Sequence, residues 1–177
     1  MLFGERERFG IEVGEVEFAD DKPVSQFRIW MTKEPLGDWD DRIFLKGSLA
    51  YANLFIKLRR FREQINCSEA DSRTVFDDFY EYYYSDEYEG TAFAHGYDMR
   101  DLFHLDDIFM SSLRDRFGII LIPDCSGEMR LICKKFLDGS VREQRLERGE
   151  LEQILGAYVS SYPTSWLSGE NKSMQSE

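Results

Sequence analysis

Between Asp98 and Asp107, four residues recur at every third position: Asp98, Asp101, His104 and Asp107. His95 lies just ahead of them. Carboxylates and imidazoles ligate divalent cations, and helical spacing brings some members of such a set together. A small metal-dependent hydrolase would use such a cluster to activate water. The set matches no recognised ligand signature, however, and this stretch is rich in carboxylates by composition. Solvated surface acids are the commoner explanation.

Nucleophilic chemistry has less support. Cys125 and Cys133 flank an expected hairpin, and either histidine is a formal partner for a thiol. Nothing in the spacing aims a base at sulfur, and a buried, inert cysteine is the usual case. Asp40 and Asp41 form a carboxylate pair, but neighbours on an extended chain point to opposite faces. The chain contains no GxSxG, P-loop, GxGxxG or HExxH. The sequence therefore predicts no catalytic residue, no metal and no cofactor, and its chemistry is that of binding.

The segment best suited to binding is Phe76-Asp77-Asp78-Phe79-Tyr80-Glu81-Tyr82-Tyr83-Tyr84-Ser85-Asp86-Glu87-Tyr88-Glu89. Phe76, Phe79, Tyr80, Tyr83 and Tyr84 follow a helical stripe, which by itself means an aromatic core face opposite a solvated acidic one. Tyr82 and Tyr88 fall off that stripe. Tyrosines among carboxylates make a good protein-binding surface, because the ring supplies area at low entropic cost and the acids pair with Arg and Lys. The expected partner contacts are Asp77, Asp78, Glu81, Tyr82, Asp86, Glu87, Tyr88 and Glu89. From Cys67 to Phe109 twelve acids face only Arg73 and Arg100, a net of −10 out of −12 for the whole chain.

Those 34 acidic and 22 basic residues repel nucleic-acid phosphates and anionic lipid, and they attract basic partners. Aromatics at 15% in a 177-residue chain mean a real core. An odd cysteine count (Cys67, Cys125, Cys133) without CxxC argues against a disulfide framework. The charged opening is unlike a signal peptide, and no apolar run reaches membrane-spanning length. Together these predict the reducing cytoplasm.

The elements that must hold the acidic segment read as one α+β domain over residues 1–167, with a polar tail at 168–177. An antiparallel sheet, made of an N-terminal hairpin and a C-terminal three-strand meander, packs with three to four helices. Phe9, Ile11 and Val13 alternate as a strand, and Val16 and Phe18 resume after a bulge at Gly14-Glu15. Asp20-Asp21-Lys22-Pro23 turns the chain into a strand bearing Phe27, Ile29 and Met31. Pro35-Leu36-Gly37-Asp38 is a further turn, and Arg42 to Leu45 a short strand. Ser48 is the expected cap of a helix with Leu45, Leu49, Ala52, Phe55 and Ile56 inward. Ser68, with Asp71 three residues on, should cap the acidic helix. A short helix over Leu105 to Arg116 precedes the buried strand Ile119 to Ile122. Met129 to Cys133 and Val141 to Leu146 follow, joined at Asp138-Gly139. A last helix starts near Gly149-Glu150.

The opening Met1-Leu2-Phe3-Gly4, then Phe9-Gly10-Ile11-Glu12, resembles the start of the immunity protein 42 family. Its members open M-[LI]-x-G, then a charged stretch, then F-A-[IL]-E. Gly10 stands where Ala is usual. Phe27-Arg28-Ile29-Trp30 and Val141-Arg142-Glu143 before a C-terminal amphipathic helix are similar in kind. The resemblance implies a cytosolic antidote to a secreted bacterial toxin, contact-dependent growth inhibition systems included. Such a protein binds the C-terminal toxin domain directly, without catalysis or cofactor. Toxin domains of this sort are often nucleases with basic active sites, where a carboxylate cluster stands in for phosphate. The competing readings are the metal-dependent hydrolase above and an adaptor for a basic peptide.

Overall fold

Period-two hydrophobicity puts Phe9, Ile11 and Val13 on one face of β2 (Phe9–Ala19), and all three are buried. The computed structural model describes residues 1–63, 70–84, 103–109 and 112–167, with the backbone alone at 81–84, 107, 109 and 112. The expected tail at 168–177 lies outside the described residues. β2 pairs with β3 (Lys22–Met31) from Phe9↔Met31 to Ala19↔Lys22, and the register shifts between Val13 and Val16. That shift is the bulge expected at Gly14-Glu15. The Ser25 hydroxyl donates to the Glu15 carbonyl there, at 3.0 Å. Asp20 and Asp21 make the turn at φ 48° and 61°, a conformation whose twist suits a two-residue hairpin.

Three short strands complete this sheet. β1 (Leu2–Gly4) runs along β2 only as far as Glu12. Beyond Val13, whose N–H donates to the Met1 carbonyl, that edge of β2 has no strand beside it among the described residues. On the other side β4 (Glu34–Leu36) and β5 (Arg42–Phe44) both pair with β3. The turn expected at Pro35-Leu36-Gly37-Asp38 is thus displaced. The chain reverses earlier, at Thr32-Lys33 (φ 51° and 73°), and Leu36 is drawn into the core. Pro35 is tolerated because β4 is an edge strand.

α1 (Leu45–Lys57) starts before the expected cap. Ser48 lies inside the helix, fully buried, with its hydroxyl 2.9 Å from that of Tyr158. α2 (Arg59–Arg62) follows, then α3 (Ser72–Tyr84). The helix expected over Leu105 to Arg116 is a 3₁₀ turn at Asp106–Phe109 and a separate α4 (Ser112–Arg116). α5 (Glu150–Ser160) begins after Gly149, which sits at φ 89°. Among the described residues no helix is long and apolar enough to cross a membrane.

β6 (Phe117–Pro123), β7 (Met129–Lys135) and β8 (Val141–Leu146) form the expected meander, as a second sheet rather than a continuation of the first. The class is α+β with antiparallel sheets. One face of the meander (Ile119, Leu121, Leu131) joins the main core with the first sheet, α1 and α5. The other (Ile120, Ile122, Ile132) meets Val75, Phe76 and Phe79 of α3 and also Phe103. Burial on both faces explains the unbroken apolar run Ile119 to Ile122. Gly118 lets α3 lie this close, since a Cβ there would collide with the Phe76 ring.

Candidate functional site

The acidic helix starts where its first free N–H groups find an acceptor. Asp71 supplies it. Its Oδ1 accepts from the N–H groups of Arg73 (3.0 Å) and Thr74 (3.1 Å), and its Oδ2 from the Thr74 hydroxyl (2.6 Å). The Thr74 bonds hold the Asp71 carboxyl below its ordinary range. Ser68 lies outside the described residues.

α3 is moored to β7 by one ion pair and by hydrogen bonds at its head, as well as by its aromatic face. Alternation along β7 puts Arg130 and Lys134 on the same side as Ile132, toward α3. Lys134 Nζ lies 2.5 Å from Asp77 Oδ1. Arg130 is buried at the head of the helix. It donates to the Ala70 carbonyl (2.9 Å), the Ser72 hydroxyl (3.3 Å) and Glu143 Oε2 (2.7 Å from Nη2, 3.1 Å from Nε). Ser72 also donates to Glu143. Burial works to raise the Glu143 carboxyl, but the bonds from Arg130 and Ser72 outweigh it and hold it below its ordinary value. Arg73 reaches the Gly139 carbonyl at 2.8 Å.

The predicted contact residues therefore divide. Asp77 is half-buried and paired within the chain. Asp78 is exposed on the same helix. Glu81 and Tyr82 are backbone positions of its last turn. Asp86, Glu87, Tyr88 and Glu89 lie outside the described residues. Among the described residues, part of the negative charge read from the sequence is answered by β7 itself. The signal was in the sequence: Arg130-x-Ile132-x-Lys134 on a strand that needs a cover.

The chemical alternatives fare differently. His104 is buried and bridges to Ile120, with Nδ1 3.4 Å from Asp106 Oδ1. Asp107 is in the 3₁₀ turn, while His95, Asp98 and Asp101 lie outside the described residues. Among the described residues no three His, Cys, Asp or Glu side chains are close enough to share a metal ion. Cys133 is a free thiol, pushed up to about 12 by burial, so it is no nucleophile at neutral pH. Cys125 is disulfide-bonded, contrary to the expectation from the odd cysteine count. Asp41 accepts from Arg116 and from the Asp38 N–H (3.1 Å), while Asp40 is exposed.

One buried ionic pair had no signal in the sequence. Arg62 is fully buried and donates to Glu152 Oε1 (2.8 Å) and to the Phe55 carbonyl (2.8 Å). Its guanidinium lies 3.7 Å over the Phe55 ring.

A family model described as immunity protein 42 matches residues 1–160. The chain belongs to the immunity protein 42 family. The match extends the likeness seen in the first dozen residues across both sheets, the described part of α3 and α5. No curated protein and no solved structure matches the chain. As a member of the immunity protein 42 family it is an immunity protein, and the partner class that follows is a toxin.

Proposed function

We propose that this immunity protein neutralises a secreted toxin domain, of the contact-dependent growth inhibition kind, by binding it and covering a basic surface. The family match over residues 1–160 carries this reading. The concentration of acids between Cys67 and Phe109 supports the sign of the partner, and a nuclease is the toxin class whose active site is basic enough to suit it. The protein works by occlusion, without catalysis, in the cytoplasm of the cell it protects.

The contact is assigned to Asp78, exposed on α3, to Glu81 and Tyr82, and to Asp86, Glu87, Tyr88 and Glu89 further along the chain. Asp77 contributes less, because Lys134 already holds it. The test is co-expression with the toxin domain encoded beside this chain in its host. Growth rescue and a stable complex are expected. Asp78→Lys with Glu81→Lys should weaken that complex roughly tenfold or more, as truncation of well-paired interface charges does. Affinity unchanged across Asp78, Glu81 and Tyr82 would move the contact elsewhere, whereas absence of any complex would end the reading.

A further inference from the structure

The outer face of the five-stranded sheet carries a different surface. Gln26, Arg28 and Trp30 point outward from β3, opposite the buried Phe27, Ile29 and Met31. Arg28 sits directly across from Glu12 in the ladder. Such a pair would ordinarily join, but each oxygen of Glu12 already has another donor. Its Oε1 takes Arg6 at 2.5 Å and its Oε2 takes the Trp30 indole N–H at 2.8 Å.

Arg28 is left to stack. Its guanidinium lies 5.7 Å from the Trp30 ring centroid and 5.1 Å from that of Trp39. No hydrogen bond or ion pair joins it to any described residue, and its Nε is shut off from solvent without an acceptor. In a chain of net charge −12 this is a half-buried cation with no carboxylate among the described residues. The two rings fix the direction of its fork, so little order remains to be lost when a partner arrives. Beside it runs a groove of about 480 Å³, bordered by Gly14, Val16, Gln26 and Trp39. At the bulge, Gly14 leaves room for the Gln26 side chain, which would lie 3.1 Å from a Cβ there.

We propose that this face docks a protein segment presenting a carboxylate, received by the guanidinium of Arg28 beside Trp30 and Trp39. A carboxylate matches the planar fork. A polyanion does not suit the site, because Glu12 and Glu15 border it. Arginine and tryptophan are also the residues that most often dominate interface energies. The inference rests on the immunity reading, and its occupant is the toxin domain; because the first sheet and α3 cover opposite faces of the meander, this face is an alternative to the α3 contact and not an extension of it.

The test uses the wild-type complex with the toxin domain encoded beside this chain. Arg28→Met keeps the stem and removes the charge, and Arg28→Lys keeps the charge and removes the fork. Calorimetry should show affinity falling roughly thirtyfold or more for Arg28→Met and by less for Arg28→Lys. Arg28→Glu should lose binding and regain it when one toxin carboxylate is changed to arginine. Melting curves show which variants are folded at the assay temperature, and Arg28→Lys decides the matter where Arg28→Met is not. If the folded variants bind as tightly as wild type, the stack is only a strut of the sheet and the immunity reading stands. If wild type binds no toxin domain, both fall together.

Discussion

Arg62 shows how much one side chain commits the fold. It is sealed between Phe55 and Glu152, and burial lowers its pKa, yet a guanidinium stays charged at any workable pH. Arg62→Ala would leave Glu152 buried without its cation, a loss of about 3–5 kcal/mol. Replacing Arg62 and Glu152 together by Met and Leu should cost far less. Urea titrations of the single and double variants check this, and equal losses would mean that the pairing is not what Arg62 supplies. The cysteines make a second prediction at this scale. Burial of Cys133 means that iodoacetamide at pH 8 leaves it unlabelled until the chain unfolds. Cys125 should label only after reduction. Peptide mass mapping of the purified protein, alkylated before and after reduction, reads both, and a Cys125 that labels without reduction would mean that the disulfide does not form in solution.

At the scale of elements, the mooring of α3 should show in acid. The carboxyl of Glu143 is held below its ordinary value of 4.5 when folded. Its contribution is therefore complete above about pH 4.5 and disappears as pH falls through the lower folded value. Melting temperature against pH should drop more steeply below that point for wild type than for Glu143→Gln, and parallel curves would rule the network out as the cause. Elements governed by local rules were legible: the Gly14-Glu15 bulge, the Asp20-Asp21 and Asp138-Gly139 turns, and the meander. What tertiary contacts decided was not. Ser48 stands where a cap belongs, but Tyr158, 110 positions away, claims its hydroxyl. Pro35 looks like a turn residue, yet Leu36 needs the core. Arg62 looks solvated because Glu152 is 90 residues distant. The acidic face of α3 was read correctly as a helix. The pairing of its Asp77 was not, because Lys134 is remote in sequence.

For the whole molecule, a net −12 gathered mostly in one stretch should make association with a basic partner fast and sensitive to salt. The association rate with the toxin domain should fall steeply between about 0.05 and 0.5 M salt, with the dissociation rate changing little. A salt-independent rate would deny the acids any role in steering. The sheet that outruns β1 has a quieter consequence. From Gly14 to Ala19 the margin of β2 is bare among the described residues, and Glu15 and Glu17 stand along it. A bulge and like charges are what discourage a second chain from annealing to such a margin. Among the described residues Glu17 meets only Arg42, as an exposed pair of little worth. Threonine at both positions should leave the melting temperature almost where it was, while light scattering finds concentrated samples growing into fibrous oligomers. A screen for folding would pass that variant and a screen for solubility would discard it, so these two acids do more to keep copies apart than to hold one copy together.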